Sequence, residues 1–199
     1  MKILQQSHEI LSLPENLLEM LEKAGRTCYK SEDKITKESA PKFVKVLRDR
    51  GHHAMIEFGD IIVKFITNRG VTHELVRHRL CSFAQESTRY VKYDGNMEFI
   101  LPVWLEGPNS SDYTTWTGAM HMAEANYKYL LSDGWRPEQA REVLPNSLKT
   151  EIVVKANIRE WRHIFTLRCS KAAHPQIRGL MLPLLKELKN KLPVVFDDV

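Results

Sequence analysis

The chain has 199 residues, 43% of them hydrophobic, and a formal net charge of +4. That charge is too small for a dedicated nucleic-acid binder, although it favours small anionic ligands. No apolar run approaches membrane-spanning length, and Met1 to Gln6 lack the apolar core of a signal peptide, so a cytoplasmic protein without membrane contact is expected.

Without a linker, low-complexity tract or internal repeat, residues 1–199 read as one domain with a core of its own. Cys28, Cys81 and Cys169 have neither metal nor redox spacing and are expected as reduced thiols.

Residues 2–6 are predicted to be a short strand. Pro14 suits the first turn of a helix whose inner face carries Leu17, Leu18, Leu21 and Ala24. Residues 29–38 are polar and predict a loop. Ala40, Phe43, Val44 and Leu47 predict an amphipathic helix over 39–50, ended by Gly51. His52-His53 invites a metal, but no third or fourth ligand follows at a suitable spacing.

The β-branched run Ile61 to Ile66 predicts a strand over 58–67, followed by a turn at Asn68-Arg69-Gly70. A short helix is expected over 71–78. His73-Glu74 and His78 resemble a zinc motif only superficially. Five residues place the two imidazoles roughly 140° apart on a helix, so no metal site is expected. Residues 79–95 predict a loop, and 97–101 a strand.

Trp116, Ala119, Met120, Ala123, Tyr127 and Leu130 mark a helix over about 110–132, and Pro137 opens another that stops near Pro145. Ile152 to Val154 predict a strand within 148–157. The helix after it, 159–169, carries Arg159 and His163 on one face, and Arg162 and Arg168 complete a cationic cluster. Ile177, Leu180, Met181, Leu184, Leu185 and Leu188 form a final helical stripe interrupted by Pro183.

The stretch from Arg77 to Tyr90 stands apart. Arg77, His78, Arg79 and Arg89 are interleaved with Ser82, Gln85, Ser87 and Thr88, and Glu86 is the lone acid. Guanidinium groups bind phosphate oxygens in pairs, and hydroxyls fill the remaining acceptor positions. On chemistry alone an anion site and a basic structural turn are equally good readings. No G-x-G-x-x-G, G-x-x-x-x-G-K-[ST] or G-x-S-x-G occurs, so a nucleotide here is held by side chains and not by a glycine loop.

Arg77-His78-Arg79, seven residues and then Ser87 resemble the signature of the flavin-dependent thymidylate synthases. Gly51-His52 with Glu57, Ala140-Arg141-Glu142-Val143-Leu144-Pro145, Asn157 with Arg159, Leu167-Arg168 and His174 resemble further segments of that family in the same order. The resemblance implies an α/β fold of the α+β type, a single domain with a mixed sheet and several helices and no Rossmann unit. It implies reductive methylation of dUMP to dTMP, with methylenetetrahydrofolate as carbon donor and NADPH as reductant through FAD. It also implies a homotetramer with shared active sites.

Carried over by position, His52, Ala54, Arg77, His78, Arg79, Gln85, Asn157, Ile158, Arg159 and His163 resemble FAD contacts. Glu74, Leu75, Val76, Arg77, Gln85, Glu86, Ser87, Thr88, Arg89, Arg141 and Arg168 resemble dUMP contacts, and Arg168 resembles the residue that promotes ionisation of the uracil imide. Glu74, Ala54 and His163 depart from commoner family residues at their positions. Cys81 is given no catalytic role. The rival reading is a non-catalytic nucleotide- or RNA-binding protein that uses the two arginine clusters.

Overall fold

The structure is a computed structural model that describes residues 1–199. Two strands carry the period-two alternation that the sequence announces. In β3 (Asp60–Asn68), Ile61, Val63, Phe65 and Thr67 are fully buried, and the intervening residues are half-buried. In β6 (Lys149–Asn157), Thr150, Ile152, Val154 and Ala156 are buried in the same way. These strands lie side by side in a four-stranded sheet of order β2-β3-β6-β4, where β2 is Ser7–Ser12 and β4 is Ser82–Gln85. A second sheet pairs β1 (Lys2–Leu4) parallel to β5 (Glu98–Ile100), with Lys2 opposite Glu98.

The helices are α1 (Leu17–Tyr29), α2 (Ser39–Asp49), α3 (Arg69–Leu75), α4 (Ser111–Ser132), α5 (Pro137–Ala140), α6 (Ile158–Arg168), α7 (Pro175–Lys191) and α8 (Pro193–Phe196). Three of them start on side-chain caps from short polar residues. The oxygen of Asn68 accepts from the Val71 amide, that of Ser110 from Tyr113, and that of Asn157 from Glu160. Gly51, with φ +73, follows α2 in a left-handed conformation that a side chain would strain. No helix is long and apolar enough to cross a membrane.

The chain divides into two compact units, and the boundary cuts each strand of the four-stranded sheet and falls between Arg77 and His78. Unit 1 comprises Met1–Ser7, Phe65–Arg77 and Ala84–Val153. Its core gathers Met97, Phe99, Met120, Tyr127, Ala140 and Leu148. Unit 2 comprises His8–Lys64, His78–Phe83 and Val154–Val199. Trp161 and Phe165 of α6 stack with ring centroids 5.7 Å apart, and Phe165 meets Phe196 edge-on at 5.8 Å. The Trp161 indole donates to the Ile61 carbonyl at 3.1 Å, which ties α6 to β3. Gly59 permits a close approach: a Cβ there would lie 2.5 Å from Leu17 and 3.0 Å from Ile158.

Some expectations change. Asn68-Arg69-Gly70 is not a free-standing turn, because Asn68 caps α3 and Arg69 is already helical. The first helix starts at Leu17, and Pro14 closes the turn ahead of it by accepting from the Leu17 amide. The loop after Arg79 contains β4, whose alternation is only half-buried. β2 is a strand that the sequence pattern does not signal, because its six residues include His8 and Glu9 and bury no side chain fully. α8 is a four-residue turn held by the buried Val195 and Phe196.

Unit 1 contains one buried carboxylate that matters for stability. Glu124 on α4 accepts from Lys128 Nζ at 2.7 Å and from the Met97 amide at 3.1 Å, and it lies 3.0 Å from the Met1 amine. Burial opposes its ionisation, but these partners outweigh burial and hold its pKa at about 2, below the usual 4.5. Because the folded value is the lower one, its contribution is complete above pH 4.5 and is lost as pH falls towards about 2. Glu124→Gln is expected to lower unfolding free energy at neutral pH by about 3 kcal/mol and to flatten the acid limb of the stability profile. Urea unfolding of both proteins between pH 7 and pH 2 checks this, and an unchanged acid limb in the variant would contradict it.

Candidate active site

In unit 2, the passage from β6 into α6 builds the chemistry. Asn157 ends the strand and caps the helix, accepting from the Glu160 amide at 2.9 Å. Its oxygen is therefore engaged, and its NH2 group is the part that suits a ligand acceptor. A cleft of about 650 Å³ opens beside this helix, walled by Asn157, Arg159, Glu160, Arg162, His163 and Thr166, together with His53, Glu57 and Leu80. Of the expected flavin residues, Asn157, Arg159 and His163 line this cleft.

The other expected flavin residues lie in different settings. Ile158 is fully buried as the first residue of α6, and its amide donates to the Gly59 carbonyl. His52 stacks on Tyr29 and shares a 3.1 Å hydrogen bond with its hydroxyl, whereas the neighbouring His53 lines the cleft. Ala54 is exposed on the 3-10 turn that follows. Arg79 is exposed beside His78, while Arg77 and Gln85 belong to unit 1.

His78 is the most constrained of the set. It is buried, and its Nε2 accepts from Arg168 Nε at 3.0 Å. Its Nδ1 lies 3.4 Å from Glu160 Oε1, and its ring meets His163 edge-on at 5.9 Å. Burial first, then the charges of Arg168 and His163, push its pKa down to about 4, so the ring is neutral at pH 7. Arg168 ends α6, where the helix dipole favours a cation. Arg159 is held by Glu57 at 2.6 Å, and Arg162 is bonded to Asp198 at 2.7 Å and to the Val195 carbonyl. Arg162 thus anchors the C-terminal segment from the cleft wall.

In unit 1, the segment from Gln85 to Arg89 is tied down by its own side chains. The Gln85 amide donates to Thr72 Oγ1 at 3.0 Å and to Thr150 Oγ1 at 3.3 Å. Glu86 accepts from the Tyr93 hydroxyl and from Lys149. Ser87 Oγ accepts from the Arg89 amide at 3.3 Å, and the Arg89 guanidinium lies over Tyr90. Thr88 is buried and accepts from Arg141 Nη1 at 3.3 Å. Glu74 is half-buried, Leu75 is core, and Val76 and Arg77 are exposed.

A smaller pocket of about 200 Å³ in this unit gathers Arg69, His73, Thr88, Arg141 and Asn146. Arg69 Nη1 is buried without a hydrogen-bond partner, which marks a donor that lacks an acceptor. Neither Arg69 nor His73 is among the ligand contacts expected from the sequence. Their signal was two more basic residues in the run that leads to Arg77, obscured by reading Asn68-Arg69-Gly70 as a turn.

Residues 9–194 match the family model described as thymidylate synthase complementing protein. A flavin-dependent thymidylate synthase of Mycobacterium avium is 34% identical over 196 residues, covering 90% of this chain and 78% of its own. The chain belongs to the flavin-dependent thymidylate synthase family. The homologue of Geobacter sulfurreducens is 32% identical over 183 residues, covering 88% of this chain and 78% of its own. The UMP/dUMP methylase PolB of Streptomyces cacaoi, solved with 5-Br dUMP, shares the fold with a TM-score of 0.82 at 22% identity, over 99% of this chain and 96% of that one.

The cofactor of flavin-dependent thymidylate synthases is FAD, and the donors of the unit 2 cleft fit it. Arg159 suits phosphate, and the Asn157 amide and the imidazoles of His53 and His163 suit ring heteroatoms. Leu80, 77% exposed, offers an apolar wall for a flat heterocycle.

No activated thiol is present. Burial first, then the nearby Glu160, push Cys81 up to about 12, and burial pushes Cys169 up to about 11. Both stay protonated at neutral pH and are poor nucleophiles. Cys28 is exposed. In a native thiol titration at pH 8, one cysteine is expected to react rapidly and two slowly, by at least about tenfold. A second fast thiol would contradict the environment described for Cys81 and Cys169.

Proposed function

We propose that this chain methylates dUMP to dTMP as a flavin-dependent thymidylate synthase, with Arg168 as the group that activates the uracil ring. The observation that carries the reading is the contact between Arg168 and the neutral His78, which sits inside the Arg77-His78-Arg79 signature. A neutral imidazole accepts from the cation without adding a charge of its own beside it. Beside the uracil imide the cation stabilises the developing enolate-like anion and makes the ring carbon nucleophilic.

The dUMP phosphate is assigned to the pocket of Arg69, His73, Thr88 and Arg141, where it supplies the acceptor that Arg69 Nη1 lacks. Gln85, Ser87 and Arg89, with Glu74 to Arg77, supply the remaining contacts of the nucleotide. Glu86 takes part chiefly through the backbone, because Tyr93 and Lys149 occupy its carboxylate. FAD is assigned to Asn157, Ile158, Arg159, His163, His78 and Arg79, with His53 added on the cleft wall beside His52 and Ala54. When bound, the flavin carries reducing electrons from NADPH that no side chain supplies.

Methylenetetrahydrofolate is the proposed carbon donor. The working assembly is a cytoplasmic homotetramer in which residues 1–199 act as one catalytic domain and active sites are shared between chains.

Purified protein supplied with dUMP, methylenetetrahydrofolate, NADPH and FAD is expected to form dTMP. Arg168→Ala should lower turnover by at least about 10²-fold while FAD stays bound. Arg69→Ala should raise the KM for dUMP about tenfold or more, with a smaller effect on kcat. Normal turnover by Arg168→Ala would contradict the role of Arg168. Salt-sensitive polynucleotide binding by a protein that takes up no flavin would favour the nucleic-acid alternative.

A further inference from the structure

Glu160 has no role in the chemistry described so far, yet it is 5% exposed and faces the ring that holds Arg168. A guanidinium Nε carries a hydrogen and has no lone pair to offer, so the atom 3.0 Å from it, His78 Nε2, must be the acceptor. In a neutral imidazole the proton then sits on the other nitrogen. That nitrogen, Nδ1, lies 3.4 Å from Glu160 Oε1. The three side chains therefore lie in a directional line: Nε2 accepts from Nε–H, and the carboxylate is the acceptor nearest to Nδ1–H, 3.4 Å away.

We propose that Glu160 is a positioning residue, which holds His78 in its Nδ1–H tautomer so that the ring in turn holds the guanidinium of Arg168 in one plane.

A neutral histidine chooses its tautomer according to the hydrogen bond that one nitrogen makes. Without the carboxylate, the Nε2–H form competes, and it would turn a donor towards the Arg168 donor. The guanidinium would then lose its acceptor at Nε, and a cation whose plane shifts is poorly matched to a planar imide. Fixing Nε fixes the plane of the whole group. The helix supplies the spacing, since α6 carries Glu160 in its first turn and Arg168 at its last residue. Asn157 secures the Glu160 backbone by capping that turn.

His78, Glu160 and His163 also bring donor atoms within 4.8 Å of one another, as a metal site would. The geometry favours the directional line. Nε2 of His78 is already an acceptor for Arg168, and that guanidinium, 3.0 Å from the ring, repels a divalent cation from the same imidazole.

The inference rests on the role assigned to Arg168, so the test separates the two. FAD-loaded protein carrying ¹⁵N-labelled histidine is examined by NMR at pH 7, with the His78 signals assigned by their loss in His78→Gln. The wild type is expected to show a protonated Nδ1 and an unprotonated Nε2. Glu160→Met keeps the volume and removes the acceptor. It is expected to populate the Nε2–H form and to lower kcat about tenfold or more, with FAD retained and the KM for dUMP within about threefold. Glu160→Gln, whose amide oxygen still accepts from Nδ1–H, is expected to recover most of that loss.

A wild type in the Nε2–H form would overturn the proposal, and this reading needs no variant to fold. A Glu160→Met protein with wild-type tautomer and kcat would overturn it as well. If wild type forms no dTMP yet shows the Nδ1–H tautomer, lost in Glu160→Met, the enzymatic reading fails and the positioning line stands.

Discussion

A guanidinium and an imidazole share the interior of unit 2, and they can do so only if the imidazole is neutral. Burial and the charge of Arg168 together keep the His78 ring unprotonated far below physiological pH. Much of the local structure follows from that one constraint. The ring must present a lone pair to Arg168, so it must present a proton to something else, and Glu160 is the group within reach. The carboxylate in turn lies on the first turn of α6, close to the Asn157 cap. The Trp161 indole fixes the same helix to β3 through the Ile61 carbonyl. Strand, cap, helix and loop thus meet at a single line of polar groups.

Arginine is the chain's main chemical resource, and the structure sorts its copies by partner. Arg48 is buried and engaged by Asp49, by Asp197 and by the Val194 carbonyl. Arg162 is engaged by Asp198, whose pKa that contact, above all, holds at about 2. These two side chains tether the C-terminal residues to α2 and α6, so they act in folding. Arg69 and Arg141 instead converge on a small pocket with Thr88, where a buried donor lacks an acceptor. From the sequence, Arg159, Arg162 and Arg168 form one cationic cluster. In the molecule one pairs with Glu57, one anchors the C-terminal segment and one meets His78.

The strands β3 and β6 were legible because every second residue is apolar or a small Thr, and that period survives folding unchanged. The long helices were legible for the same reason at the helical period. The signature run was legible because so many guanidiniums and hydroxyls in one short stretch have few structural uses. Arg69 was hidden because a turn-forming tripeptide and a capped helix start have the same composition, and only the hydrogen bond from Val71 to Asn68 distinguishes them. Glu160 was hidden for a different reason. A carboxylate in the first turn of a helix is ordinary on its own. Its partner ring comes from the loop after α3, and the arginine served by that ring is 90 residues from it in the chain. Local spacing carries no trace of such a line.

The central claim is that the assembled protein brings a flavin and dUMP together around Arg168. The most direct measurement is the visible absorption spectrum of the purified protein, recorded before and after adding FAD and then dUMP. The account predicts a bound oxidised flavin whose band shifts when dUMP is added, because both ligands occupy one site. A protein that binds no FAD, or whose flavin band is indifferent to saturating dUMP, would contradict it.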